Sequence, residues 1–338
     1  MPGQKTFRTA LLVALSAWAM TAQAQMKVET QDGLGLVLDA HGAVAGLTVD
    51  GKAVPLLEAG GGFYVEDVMH SLAATRFEGA AELAGDAIIF RGSAPGLSLE
   101  LAVIITAHAD HISVDGKVTD TTGEDRGLRV GFNLPVDGQG RTWWDDTETP
   151  RPIAGDTHFA NYGSGWGVGP NRQVSAYPFA SMTGGGSGLS LAQRMDQPRF
   201  FRLFFESATG YNIDYNLGLS AETTKFPSAA SFHFLLYRHD PEWGMRAAAQ
   251  RYYEIFADFF QVRAERQGVY CYGIHPDLED PEDFGLTFDL AGFHRADRGK
   301  LQEHGIYLLV HPMGTEAHIR WPEGYDWGQG QTRPSLAQ

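Results

Sequence analysis

The stretch Asp240 to Phe260, DPEWGMRAAAQRYYEIFADFF, divides the chain into two kinds of pattern: strands before it, strand–helix units after it. Asp240 is placed to N-cap a helix, with Pro241 at the first helical position and Glu242 in the first turn, where a fixed φ and a negative charge are both favoured. Met245, Ala248, Tyr252, Ile255, Phe256 and Phe259 then recur at i, i+3, i+4, i+7 spacing, which predicts one buried helical stripe. Trp243, Tyr252, Tyr253 and Phe259 read first as packing residues between two domains, and only second as ligand contacts.

Upstream, Lys5 and Arg8 precede an apolar run from Ala10 to Met20, and Ala22-Gln23-Ala24 supplies the small residues of a signal-peptidase site. Residues 1–24 are therefore expected to be a signal peptide and the chain to be exported, to the periplasm or the outside of the cell. The apolar run is too short to cross a bilayer comfortably. The remaining chain, about 310 residues, suffices for two domains. A single cysteine, Cys271, excludes an internal disulfide framework, so the core alone must hold the fold. The formal charge of −15 argues against nucleic acid or an anionic membrane as partner.

From Met26 to His239 short alternating runs are punctuated by Gly, Asp and Pro. Leu34, Leu36 and Leu38 alternate, as do Leu97, Leu99, Leu101, Val103 and Ile105, and again Phe232, Phe234 and Leu236, the pattern of half-buried antiparallel strands. Val49-Asp50-Gly51-Lys52 and Val114-Asp115-Gly116-Lys117 each read as a tight hairpin, because Asp-Gly accepts φ > 0 at both turn positions. About a dozen such runs without a helix predict two large stacked sheets over residues 25–239.

Two segments here are unusual. Thr142-Trp143-Trp144-Asp145-Asp146, with Asn161-Tyr162-Gly163-Ser164-Gly165-Trp166 beyond it, combines aromatic faces, carboxylates and Gly. Sugar sites use that combination, since C–H faces stack on rings and carboxylates accept from hydroxyls. The alternative is that Trp143 or Trp144 is buried at a sheet edge and the Gly-rich stretch is a long connection. Tyr177-Pro178-Phe179, Gly184-Gly185-Gly186 and Arg194 read as two strands joined by a Gly-rich turn, with Arg194 either on a ligand or in a structural ion pair.

After the helix, Gln267 to Tyr272 reads as a buried strand, Asp277 to Asp283 as an acidic loop, and Asp297 to His304 as a helix stopped by Gly305. Ile306 to His311 reads as a second strand. Strand, loop, helix and strand in this order describe the opening of a β/α barrel, with His311 at a strand end facing the site. A barrel needs about 250 residues, so residues 263–338 hold at most two β/α units and the barrel is incomplete. The carboxylates of the acidic loop read as solvated rather than catalytic.

Ser175-Ala176-Tyr177-Pro178-Phe179-Ala180-Ser181, Asp214-Tyr215-Asn216-Leu217-Gly218-Leu219-Ser220, FLLYRHDPEWGMR over Phe234 to Arg246, and Arg251-Tyr252-Tyr253 resemble bacterial exported proteins of the glycoside-hydrolase superfamily. In those a galactose-mutarotase-like β-supersandwich precedes a (β/α)8 barrel. The resemblance runs from about Leu34 to Pro312 and is most specific over 214–253. It implies a mainly β chain: sandwich over 25–239, linker helix over 240–262, and the first barrel units over 263–338. It also implies glycosidic-bond hydrolysis by two carboxylates of later barrel strands that this sequence lacks, so no catalytic residue carries over.

The expected ligand is therefore carbohydrate, with no cofactor or metal called for. Its candidate contacts are Trp143, Trp144, Asp145, Asp146, Tyr162, Trp166, Arg194 and His311. The readings in order are the N-terminal portion of a secreted glycoside hydrolase, a non-catalytic carbohydrate-binding sandwich, and an aldose epimerase. The last needs a His base beside an acid; His158 and His233 are the candidates, and no acid is evident beside either in the sequence.

Overall fold

The computed structural model describes residues 25–163, 174–224, 227–263, 267–271, 278–290 and 298–309. They fall into two compact units divided between Phe260 and Gln261. In the first, four short strands, β1 (Met26–Glu29), β2 (Leu34–Leu38), β3 (Val44–Val49) and β4 (Lys52–Ala53), form one sheet. A nine-stranded sheet runs in the order β13 (Arg151–Pro152), β12 (Thr142–Trp144), β17 (Phe179–Gly184), β18 (Ser187–Gln193), β21 (Ala229–His239), β10 (Ile112–Asp120), β9 (Leu99–Ala107), β8 (Ala87–Ala94), β7 (Glu78–Ala84). A six-stranded sheet runs β14 (His158–Ala160), β19 (Phe201–Glu206), β20 (Gly210–Leu219), β11 (Arg126–Leu134), β5 (Gly62–Asp67), β6 (Thr75–Arg76), and β15 (Tyr162–Gly163) pairs with β16 (Val174–Ser175).

The mainly β expectation holds, and the alternating residues do what their period requires. Leu34, Leu36, Leu38, Phe232, Phe234 and Leu236 have no exposed surface. The inner faces of the two large sheets meet in an aromatic core: Phe132 lies 5.3 Å from Phe234, Tyr215 5.5 Å from Phe232 and Phe63 5.8 Å from Phe90, between ring centroids. Tyrosines buried there need hydroxyl partners in the opposite sheet. Tyr211 donates to the Ala180 carbonyl at 2.6 Å and Tyr215 to the His233 carbonyl at 2.9 Å.

One of the two Asp-Gly hairpins forms. Asp50 and Gly51 take φ of 53° and 70° between β3 and β4. Val114-Asp115-Gly116-Lys117 is instead the middle of β10, paired on both sides with β9 and β21. The reason is packing rather than turning: a Cβ on Gly116 would stand 2.2 Å from the Phe232 ring, which lies across that position. The turn at Gly184 to Gly186 joins β17 to β18, as its composition suggests.

Helix α1 (Met245–Ile255) is shorter than the expected one. Asp240 does not cap it; its carboxylate accepts from the Glu242 N–H in a preceding turn. Gly244 interrupts with φ +49° because its Cα packs on the Trp144 indole, where a Cβ would come within 2.7 Å. Met245, Ala248, Tyr252 and Phe256 form the buried stripe, joined by half-buried Ile255, and cover the outer face of β17, β18 and β21 at Phe179, Ala192, Leu235 and Tyr237. Tyr252 donates to the Gln193 carbonyl and Tyr237 to the Ala248 carbonyl, at 2.9 and 3.1 Å. Trp243, Tyr253 and Phe259, expected to pack, are exposed at 59%, 48% and 57%.

In the second unit β22 (Val269–Cys271), β23 (Leu286–Asp289) and β24 (Tyr307–Leu308) form a parallel sheet, with α2 (Arg298–Glu303) before β24. Parallel neighbours joined by a helical crossover fit the expected β/α pattern; β23 itself went unread because Leu286-Thr287-Phe288-Asp289 is so short. Gly305, at φ +63°, ends the helix by donating to the Gln302 carbonyl at 3.1 Å. Among the described residues these three strands are the whole of this parallel sheet.

Two outcomes follow from this packing. Gly116→Ala drives a methyl into the Phe232 ring and is expected to cost about 1–3 kcal/mol, read as a lowered urea midpoint at unchanged slope. His239, beneath α1, accepts from Ser181 at Nε2 (2.8 Å) and donates from Nδ1 to the Asp240 carbonyl (3.0 Å). Burial pushes its pKa from 6.5 down to about 4. The unfolded chain protonates first, so stability is complete above pH 6.5, declines as pH falls and levels below about 4. The loss is about 3 kcal/mol, and His239→Gln should flatten that part of the stability profile.

Candidate functional site

The outer face of the six-stranded sheet carries a cavity of about 410 Å³. It exists because the sheet alternates. On β20, Tyr211, Ile213 and Tyr215 point into the core and Asn212 and Asp214 point out; on β19, Leu203 and Phe205 point in and Arg202, Phe204 and Glu206 out. Strands β11 and β5 add Arg129, Asn133, Tyr64 and Glu66 to the same face, β6 adds Arg76 and β14 His158.

Cross-strand register then assembles the polar groups. Arg202 faces Asp214 directly, Gly131 faces both Asp214 and Tyr64, and Tyr64 faces Arg76. Arg202 grips Asp214 with two donors, Nε on Oδ1 at 2.7 Å and Nη2 on Oδ2. A Cβ on Gly131 would lie 2.3 Å from the Tyr64 ring, so its absence lets that ring cross β11 and donate to Asp214 at 3.3 Å. Burial foremost, then the Asp214 charge, pushes the Tyr64 hydroxyl well above its usual range, so it remains a donor. Burial pushes the Asp214 carboxyl up, against the hydrogen bonds and charge of Arg202. Burial works against the Arg202 guanidinium too, but the carboxylate beside it prevails and raises its pKa.

Next along, Asn133 donates to the Asn212 side-chain oxygen at 2.9 Å, and Asn212 to the Gly210 carbonyl at 2.8 Å. Arg129 pairs with Glu66 at 2.5 Å. At the β14 edge the register places His158 opposite Glu206, with Nδ1 3.2 Å from the carboxylate. Phe204 lies beneath this pair, its ring 5.9 Å from the imidazole. Such a face offers donors, acceptors and apolar ring surface together, and groups held by their neighbours need little reordering to meet a polar ligand.

Of the residues singled out in the sequence, Tyr162 lines this cavity. Trp143 has no exposed surface; it stacks edge-on to Tyr211 at 4.8 Å and donates to Asp145, so it has no face to offer a sugar. Trp144 points to the opposite face of β12, donates to Thr183 and packs against Gly244. Asp145 and Asp146 both bind Arg151, and Asp146 also holds the turn at Glu148 and Thr149. Arg194 is in its structural ion pairs, with Asp115 at 3.1 Å and Asp196 at 2.6 Å. Trp166 and His311 lie outside the described residues.

Both histidines do have acids, contrary to the sequence reading. His158 has Glu206, and His233 has Asp115 at 2.7 Å. Each partner is a cross-strand neighbour 48 or 118 positions away, beyond the reach of local pattern. In the acidic loop Glu282 accepts from His304 at 3.0 Å, and no cluster of metal-ligating side chains occurs among the described residues.

No family model matches this chain. No curated protein matches either. Among solved structures, the chain is similar to a galactose mutarotase related enzyme from Lactobacillus acidophilus (TM-score 0.37, 10% identity, 64% of this chain and 98% of that one). A galactose mutarotase-like protein from Lactobacillus casei gives 0.38 and 12%, over 64% and 100% of the two chains. The GH36 alpha-galactosidase AgaA from Geobacillus stearothermophilus gives 0.48 and 11%, over 85% of this chain and 56% of that one.

The Arg202–Asp214 pair makes a direct prediction. Asp214→Asn leaves the guanidinium buried without its anion and is expected to cost about 3–5 kcal/mol, whereas Arg202→Met with Asp214→Leu recovers most of that loss. Urea denaturation of the three proteins measures both.

Proposed function

We propose that this chain is a carbohydrate-binding protein whose sandwich holds a sugar in the cavity over the six-stranded sheet. The observation that carries the reading is the convergence, on one outer sheet face, of Arg202, Asp214, Asn133, Asn212, Tyr64 and the His158–Glu206 pair around Tyr162 and Phe204. Bidentate guanidinium, amide and carboxylate groups suit vicinal hydroxyls, and a ring surface suits the C–H face of a pyranose. The sequence resemblance to exported glycoside-hydrolase-superfamily proteins supports the same ligand class.

A second reading, favoured by the parallel strands β22, β23 and β24, is that the chain is the N-terminal portion of a secreted glycoside hydrolase acting on a polysaccharide or glycoconjugate. In that case the sandwich binds and the carboxylates that cleave lie elsewhere. Export through the segment 1–24 belongs to both readings.

An array of neutral and acidic mono- and oligosaccharides, probed with the full chain, tests the proposal. His158→Ala and Glu206→Gln, at the exposed rim, are expected to weaken binding about fivefold or more, in the range of lost hydrogen bonds to charged groups. Trp144→Ala should lower stability and leave affinity unchanged. Binding that follows Trp144 or Arg194 instead of the cavity residues would move the site away from the six-stranded sheet.

A further inference from the structure

We infer that the sugar held in this cavity is anionic, its carboxylate or sulfate group seated at the β5–β6–β11 end against Arg76 and Arg129; the inference rests on the carbohydrate reading of the same cavity. Two of the three guanidiniums that line it are matched across strands, Arg202 to Asp214 and Arg129 to Glu66. Arg76 is not. Its Nη1 donates to the Gly61 carbonyl at 2.8 Å and its Nη2 to the Gly60 and Ala59 carbonyls at 2.9 and 3.1 Å. Carbonyl oxygens orient a guanidinium without cancelling its charge, so Arg76 presents a fixed cation whose remaining donors have no carboxylate among the described residues.

The wall beside it holds a further unsatisfied donor. Arg129 spends Nη1 on Glu66, but its Nε–H is buried with no partner among the described residues. A buried donor left unmade is costly, and it leaves this wall short of acceptors. The remaining carboxylate of the cavity, Glu206, does not neutralise this end. It sits on β19, four strand spacings from β6, about 19 Å along the sheet and beyond a Debye length of about 8 Å. The cavity is therefore cationic at one edge, within a chain of formal charge −15 whose overall field repels anions. Only a short-range contact overcomes that field, and the charge and remaining N–H donors of Arg76 suit a carboxylate or a sulfate.

Calorimetry on the full chain tests this with D-galactose and D-glucose, their C6 uronates and their 6-sulfates. At least one acidic sugar should bind about tenfold or more tightly than its neutral parent, as a charge-assisted bond gives. Arg76→Gln should erase that difference, and Arg76→Lys, which keeps the charge, should retain part of it. Preference confined to the uronates assigns a carboxylate, and preference confined to the 6-sulfates assigns a sulfate ester. Equal affinity for neutral and acidic sugars, or a preference that survives in Arg76→Gln with near-ultraviolet circular dichroism unchanged, overturns the inference while the carbohydrate reading stands. Failure of every sugar to bind the wild-type chain overturns both.

Discussion

Asp214 stands on its strand between Ile213 and Tyr215, two side chains without exposed surface, and is itself as buried as they are. A carboxylate so far from water persists only with a cation and donors against it, since desolvation costs more than a poorly aligned partner returns. Arg202 and Tyr64 meet that requirement from the neighbouring strand and from across Gly131. The alternation and the ion pair therefore demand one register. A slip of a single residue between β19 and β20 would turn Arg202 or Asp214 into the aromatic core and a Phe or Tyr out of it, so both solvents of the sheet oppose the change.

The two large sheets end up with different outer faces for the same reason. Outward positions of β17, β18 and β21 include Phe179, Ala192, Leu235 and Tyr237, which must be covered, and α1 covers them with Met245, Ala248, Tyr252 and Phe256. Outward positions of β19, β20, β11 and β5 include Arg202, Asp214, Asn212, Asn133, Arg129 and Glu66, and neighbouring strands satisfy most of these polar groups. One face thus recruits a helix and the other remains a cavity wall. Trp144 belongs to the first arrangement, which is why an aromatic beside two aspartates serves as packing here.

A hydrogen-bonded network in which each wall group already has a partner is also a preorganised one. The exceptions then stand out against it. Arg76 is held by backbone carbonyls without a counter-charge, and the Arg129 Nε–H has no acceptor among the described residues. Both lie toward one edge of the sheet, whereas the His158–Glu206 pair lies at the other. The polarity of the cavity is a consequence of strand order.

What the sequence by itself determined is everything that depends on neighbours a few residues apart. Period-two runs such as Leu34 to Leu38 and Phe232 to Leu236 made strands, the Asp50-Gly51 pair made a tight turn, and the spacing of Met245, Ala248, Tyr252 and Phe256 made an amphipathic helix. Even there local pattern had limits. Asp115-Gly116 has the composition of a turn, but Phe232, 116 positions on, needs the space above that glycine, and Asp240 has the form of a cap, but Trp144 breaks the helix start at Gly244. The cavity was decided by tertiary structure alone. Its walls come from strands spread between Gly62 and Asp214, and whether Arg202 meets Asp214, or His158 meets Glu206, depends on long-range pairing that an alternating pattern permits without specifying.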